Sequence, residues 1–350
     1  MTTAMKIFTL TDTVGWSPRK KALITLGLAG LTRTGGESPA SLLAMYQCLF
    51  REFFEIAIKP YTVDTIFVCG GLGGSGTTKT NKIFAVSKNE WHDAPDLPKP
   101  RCDHGIAFVD GRVFVIGGWT PDDGTTDTCV TFSISRNKWE VIPPMSIERT
   151  YPGVAVVGDR IFVIGGRDER NIILDSVEVY KVSGNTWTAP GVVAPMPTPR
   201  FNFGVAVIGN RISTIGGWND DGALSKVEVH DTETNTWTKL SPIPTARDGM
   251  AVAVIGHQIW CFGGYEGRDE LDVIEVFDVD KNEWTTSKFK MTSPRDGAKA
   301  VVIDGMIWIV GGESGGKALD LVEILDPETG TWTNAPSMHS PRYNHAAIAF

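Results

Sequence analysis

A pair of adjacent glycines recurs six times along this chain of 350 residues. The pairs are Gly70-Gly71, Gly117-Gly118, Gly165-Gly166, Gly216-Gly217, Gly263-Gly264 and Gly311-Gly312, separated by steps of 47, 48, 51, 47 and 48 residues. A tryptophan follows each first glycine by 21 or 22 residues: Trp91, Trp139, Trp187, Trp237, Trp284 and Trp332. An arginine closes each unit: Arg101, Arg149, Arg200, Arg247, Arg295 and Arg342. Three markers in phase over six copies require one supersecondary unit, repeated and stacked on its neighbours. Such an architecture favours a binding surface over a catalytic pocket.

The unit can be read residue by residue. A short β-branched or aromatic run precedes each glycine pair, as in Val113-Phe114-Val115-Ile116 and Ile161-Phe162-Val163-Ile164. These runs are too short for helices and too continuously apolar for a strand with one wet face, so they predict strands buried on both faces. Upstream of five of them lies another strand, joined by Asp110-Gly111, Gly158-Asp159, Gly209-Asn210, Gly256-His257 or Asp304-Gly305, the residue types of tight hairpin turns. A third strand, such as Val227–Val229, and a fourth beginning at the tryptophan complete a four-stranded antiparallel meander. So small a sheet must be covered by its neighbours, and six arranged radially achieve this. The tryptophans, each able to bury about 150–250 Å², are expected in the core, and the glycine pairs at a crowded strand end. The first glycine-pair strand lacks its upstream partner, whereas the segment from Arg342 to Ala349 has the form of that missing strand. The carboxyl-terminal strand is therefore expected to pair with the amino-terminal blade, closing the ring and removing its open edge.

These residues resemble the kelch repeat, in which a strand ends in Gly-Gly and is followed by a distal aromatic and then tryptophan. Val177-Glu178-Val179-Tyr180 and Asp326-Pro327-Glu328-Thr329-Gly330-Thr331-Trp332 lie very near its consensus. The period suits kelch (about 50) rather than the WD-type repeat (about 40–45). The resemblance covers residues 61–350 and implies an all-β, six-bladed kelch-type β-propeller, similar to the propeller portion of BTB-BACK-Kelch ubiquitin-ligase adaptors. It implies a protein-binding module without cofactor or metal, with a cullin ligase complex or actin as the expected associations. Kelch-type oxidases and sugar isomerases are the remote enzymatic alternative. Residues 1–37 read as an irregular tail and 38–60 as a short amphipathic helical extension, capped by Ser38, with Leu42, Tyr46, Leu49, Phe53 and Ala57 on one stripe.

In kelch relatives, partners contact the loop after the glycine pair and residues at or just after the repeat arginine. By position, the first set implies Trp119, Arg167, Trp218, Tyr265 and Glu313; the second implies Arg101, Asp103, Arg149, Tyr151, Arg200, Asn202, Arg247, Arg295 and Asn344, although arginines recurring in every blade read more readily as a shared structural feature that hydrogen-bonds neighbouring backbone. Trp119 and Trp218 stand among Asp122, Asp123, Asp220 and Asp221, which suits a peptide with an apolar anchor and a basic flank. Net charge is -8, which argues against a nucleic-acid backbone as ligand. The five cysteines are scattered without CxxC spacing, which fits a reducing, cytoplasmic setting. Three motifs are set aside. Gly71–Gly76 has dinucleotide-loop spacing and Gly311–Lys317 nearly matches a phosphate loop, but a repeat strand, not a helix, is expected after each. Cys102-Asp103-His104 is not expected to act as a triad, since neighbours on a strand face opposite ways.

Overall fold

The computed structural model describes residues 64–350; the expected tail and the helix over 38–60 lie outside the described residues. Six four-stranded antiparallel sheets follow one another, with no helix among the described residues. Each is a meander, as in blade 2, whose strands are Gly105–Val109, Arg112–Ile116, Cys129–Ser133 and Lys138–Ile142. The first strands of blades 3 to 6 are Gly153–Val157, Gly204–Ile208, Ala251–Ile255 and Lys299–Ile303. Blade 1 takes its first strand from the chain end: Ala346–Ala349 pairs antiparallel with Thr65–Cys69, placing Phe67 opposite Ile348. The six first strands neighbour one another in a closed cycle, so they are the inner wall of a β-propeller.

Hairpin chemistry follows the sequence. Asp110 and Gly111 both take positive φ (49° and 70°), as a type I′ turn requires, whereas at Gly158-Asp159 only the glycine does (64°), as in type II′. The glycine-pair strands are buried on both faces, in the pattern expected of them. Period two then sends alternate side chains to different junctions: Ile66 and Val68 pack with blade 6, Phe67 and Cys69 with blade 2. The result is six separate apolar cores, one at each blade junction, rather than one central core.

The tryptophans differ from expectation. All six are half-buried on the outer strands rather than sunk in the core. Each indole Nε1–H donates to a carbonyl of the preceding blade: Trp91 to Pro336 (2.7 Å), Trp139 to Pro95 (2.9 Å), Trp187 to Pro143 (2.8 Å), Trp237 to Ala194 (2.9 Å), Trp284 to Ser241 (2.8 Å) and Trp332 to Lys290 (2.9 Å). An indole holds its ring in an apolar junction while its N–H finds a partner at the rim, and this dual requirement keeps it from full burial.

The arginines clamp the junctions from inside. Arg200 is fully buried; its Nη1 donates to the carbonyls of Gly216 (2.9 Å) and Lys226 (2.8 Å), and its Nη2 to Glu228 Oε2 (2.6 Å) in blade 4. Arg149–Glu178 and Arg247–Glu275 repeat this pairing at 2.6 and 2.5 Å, and Arg295–Glu323 makes the same contact. Arg200, expected at a partner surface, is therefore corrected: every stretch of its guanidinium is inside the protein. Two junctions lack the carboxylate. Val130 stands in blade 2 and Lys82 in blade 1 where the other blades carry glutamate, so Arg101 and Arg342 hold only carbonyl and hydroxyl oxygens.

Candidate functional site

The loop face is built by the glycine pairs. Gly117 and Gly118 both have positive φ (60° and 96°), and a Cβ on Gly117 would come within 2.7 Å of the Arg149 carbonyl. The chain can reverse against the next blade's arginine only without a side chain there. The residue after the pair then forms an isolated antiparallel bridge with the residue after the previous arginine: Trp119 with Cys102, Arg167 with Thr150, Trp218 with Phe201, Tyr265 with Asp248, and Glu313 with Asp296. The two expected sets of site residues thus lie side by side on one face. Beyond the bridge most loops form a small ribbon, such as Trp218–Asn219 with Gly222–Ala223. Gly71–Gly76 and Gly311–Lys317 run through two such ribbons, and strands follow them, so neither is a phosphate loop.

At the axis, the residues two positions after the arginines make a closed ring of backbone hydrogen bonds. Each N–H donates to the carbonyl of the previous member: Asp103 to Asn344 (3.1 Å), Tyr151 to Asp103 (2.8 Å), Asn202 to Tyr151 (3.3 Å), Gly249 to Asn202 (2.9 Å), Gly297 to Gly249 (3.0 Å) and Asn344 to Gly297 (3.1 Å). All six have left-handed φ, between 49° and 62°. Asp, Asn and Gly tolerate that conformation, which was the available signal for the ring in the sequence; Tyr151 is the exception. Asp103, Tyr151, Asn202 and Asn344 therefore serve the ring with their backbones, and their side chains remain half-buried around it. Asn202 Nδ2 donates to Asp248 Oδ2 (2.6 Å).

Outside the ring the face divides into two sectors. Over blades 3 to 5 it is aromatic: Trp218 stacks on Tyr265 (centroids 6.3 Å apart, planes 25°), Tyr151 lies 5.8 Å from Phe201, and the Arg167 guanidinium sits 5.1 Å above the Phe201 ring. A recess of about 420 Å³ between blades 3 and 4 adjoins it, lined by Asn171, Ile172, Ile173, Pro199, Asn219 and Asp220. Ile172 is 52 % exposed at its edge. Trp119 stands apart on blade 2, where Asp123 is already occupied by Lys99 (2.6 Å).

Over blades 5 and 6 the face is acidic. Burial raises the carboxyl of Asp248 to about 6, and burial together with the nearby Asp248 charge raises Asp296 to about 7. Glu313 is raised as well, by burial and then by Glu270. A raised folded-state value means that the native chain holds the proton while the unfolded chain, at 3.8, has released it. Stability from Asp296 is thus complete below pH 3.8 and lost as pH rises through about 7. Asp296→Asn, which keeps an acceptor for the Gly297 N–H, is expected to be more stable than wild type by more than about 2 kcal/mol near pH 8, with the gain vanishing near pH 4. Thermal unfolding of both proteins across that range measures it. Buried His104, pushed down to about 3, and His345 slope the opposite way, but they cancel in the difference.

The Cys102-Asp103-His104 run needs a correction of reason. It is not an alternating strand: Asp103 has φ 56°, and Cys102 Sγ donates to its carboxylate (3.1 Å) while Cys69 Sγ lies 3.3 Å from His104 Nε2. Burial pushes the Cys69 thiol up to about 12 and the Cys102 thiol higher still, so neither supplies a thiolate nucleophile near neutrality. No cluster of metal-ligating side chains occurs among the described residues, and no described helix is long and apolar enough to cross a membrane.

A closed ring of meanders with its side-chain chemistry gathered on one loop face defines a propeller of the protein-interaction class. A family model described as the KLHDC2/KLHL20/DRC7 Kelch-repeats domain matches residues 153–350, and a Kelch motif matches residues 100–146. The chain belongs to the Kelch-repeat family. It is 31% identical over 61 residues to Kelch-like protein 8 of Mus musculus, covering 17% of this chain and 10% of that protein. It is 30% identical over 57 residues to Kelch repeat and BTB domain-containing protein 2 of Cowpox virus (16% and 10%) and 30% identical over 54 residues to Kelch repeat-containing protein kel-10 of Caenorhabditis elegans (15% and 9%). The matched segments span about 10% of the length of these relatives.

Proposed function

We propose that the loop face holds a short segment of a partner protein, and that the chain serves as the substrate-recognition part of a kelch-like adaptor for a cullin-RING ubiquitin ligase. The observation that carries the reading is the half-exposed Trp218–Tyr265 stack beside the recess between blades 3 and 4. Rigid aromatic anchors next to a hollow are where binding energy concentrates in protein interfaces, and this one offers Ile172, Ile173 and Pro199 beside polar Asn171, Asn219 and Asp220. The adaptor assignment draws on the kelch-like and BTB-containing relatives.

Trp119→Ala combined with Trp218→Ala tests the placement. Neither indole lies in a junction core, so the double variant keeps its unfolding midpoint. Loss of one anchoring tryptophan costs about 2 kcal/mol or more, so partners recovered by affinity purification fall by roughly thirtyfold. Undiminished recovery sinks the placement. Recovery of a cullin with the wild type supports the adaptor role, whereas co-sedimentation with actin filaments in its stead replaces it with a cytoskeletal one.

A further inference from the structure

The acidic sector is unlike the rest of the surface. Asp248 is 8 % exposed; one carboxylate oxygen takes the Asn202 amide and the other, Oδ1, has no hydrogen-bond partner. The Asp296 carboxylate lies over the adjacent Gly249, where a Cβ would come within 1.6 Å of its Oδ1. The Asp296–Glu313 bridge carries Glu313 to the same place, and Glu270 reaches it from blade 5 by accepting the Gly315 N–H (2.9 Å). Among the described residues, none of these four carboxylates makes an ion pair, whereas Asp123, Asp272 and Asp278 are each held by a lysine. Lys299 is a cation near Asp296, one of the four, and it is shared with Asp103. Tyr343 borders Glu313, and Tyr265, bridged to Asp248, is stacked on Trp218.

We infer that this sector takes the guanidinium of an arginine on the bound segment of the partner. The inference rests on the protein-binding reading of the face. Crowded carboxylates, with Asp248 and Asp296 desolvated and Lys299 shared with Asp103, destabilise the empty propeller, and a chain retains such a feature where binding relieves it. A guanidinium does so best. It accepts no bonds, donates in a planar fork to paired carboxylates and stacks on aromatic rings, which the bordering tyrosines supply. It also complements the aromatic sector next door, since one extended segment can place an apolar side chain by Trp218 and a cation a few residues on.

A random dodecapeptide display library selected on the full chain is the probe, followed by fluorescence anisotropy of an enriched peptide and of the same peptide with citrulline or lysine for arginine. Wild type is expected to enrich peptides with arginine at a constant position. Citrulline in its place, Asp248→Asn and Glu313→Gln are each expected to weaken binding by at least about thirtyfold. Glu313 lies on a surface ribbon, so Glu313→Gln remains informative if Asp248→Asn folds poorly. Enriched peptides without arginine, full affinity with lysine or citrulline, or arginine binding unmoved by the variants overturns the inference. Where such peptides are still lost on Trp218→Ala, the binding face itself stands. Enrichment of no peptide at all overturns both.

Discussion

Deleting residues 346–350 is expected to remove the cooperative unfolding transition, or to lower its midpoint by more than about 10 °C in a calorimetric scan. These residues cover Thr65–Cys69, whose central side chains Ile66, Phe67 and Val68 are 0 % exposed, and Phe350 stacks on Phe108 with ring centroids 4.2 Å apart. Each apolar side chain uncovered loses on the order of 1–3 kcal/mol, and several are uncovered together. Their sum is comparable with the whole ~5–15 kcal/mol margin of a typical domain. The deletion also breaks the inner ring at the one place where it is closed by strands from opposite ends of the chain, leaving a long apolar edge free to pair with another molecule. A truncated protein that melts as wild type does would mean that blade 1 needs no fourth strand, and the ring argument would fall.

Arg200→Met is expected to destabilise the propeller by about 3–5 kcal/mol, and Arg101→Met by clearly less. The side chains occupy corresponding places, so the contrast is electrostatic. Losing Arg200 strands Glu228, which is 1 % exposed, without its cation. Losing Arg101 strands no carboxylate, because Val130 stands where Glu228 would be, and only the carbonyls of Gly117 and Thr128 and the Thr128 hydroxyl go unmet. Denaturant titrations of the two single variants and of Arg200→Met with Glu228→Met separate the effects: the double variant recovers most of the loss. Equal losses for Arg101 and Arg200 would show that carbonyl clamping, not charge pairing, dominates at every junction.

The legible part of the loop face was positional. The bridges between Trp218 and Phe201, or Glu313 and Asp296, put residues from the two repeat offsets together, and those offsets are visible as spacing. The roles within the face were less legible. An arginine in every repeat reads more readily as a structural clamp than as a surface contact, but only the reach of its guanidinium across a junction assigns Arg200 to the interior. Glu313 was expected on this face, but its grouping with Asp248, Asp296 and Glu270 was missed, because these are ordinary surface residue types scattered over four loop positions and their crowding depends on how two blades meet.

Repetition made the architecture readable in advance. Strand period, turn residues and the in-phase Gly-Gly, Trp and Arg markers are local, and each of six copies restates them, so blade number, meander order and strand closure all follow without coordinates. What tertiary structure alone decided are relations between residues far apart in the chain. The axial ring joins Asp103 to Asn344, the Arg342 clamp reaches the Gly70 carbonyl across 272 positions at 3.0 Å, and two junctions lack the glutamate that the other four contain. Hydrogen bonds and charge pairs act over a few ångströms and carry no mark in local composition, so only closing the ring reveals which groups meet and which are left without a partner.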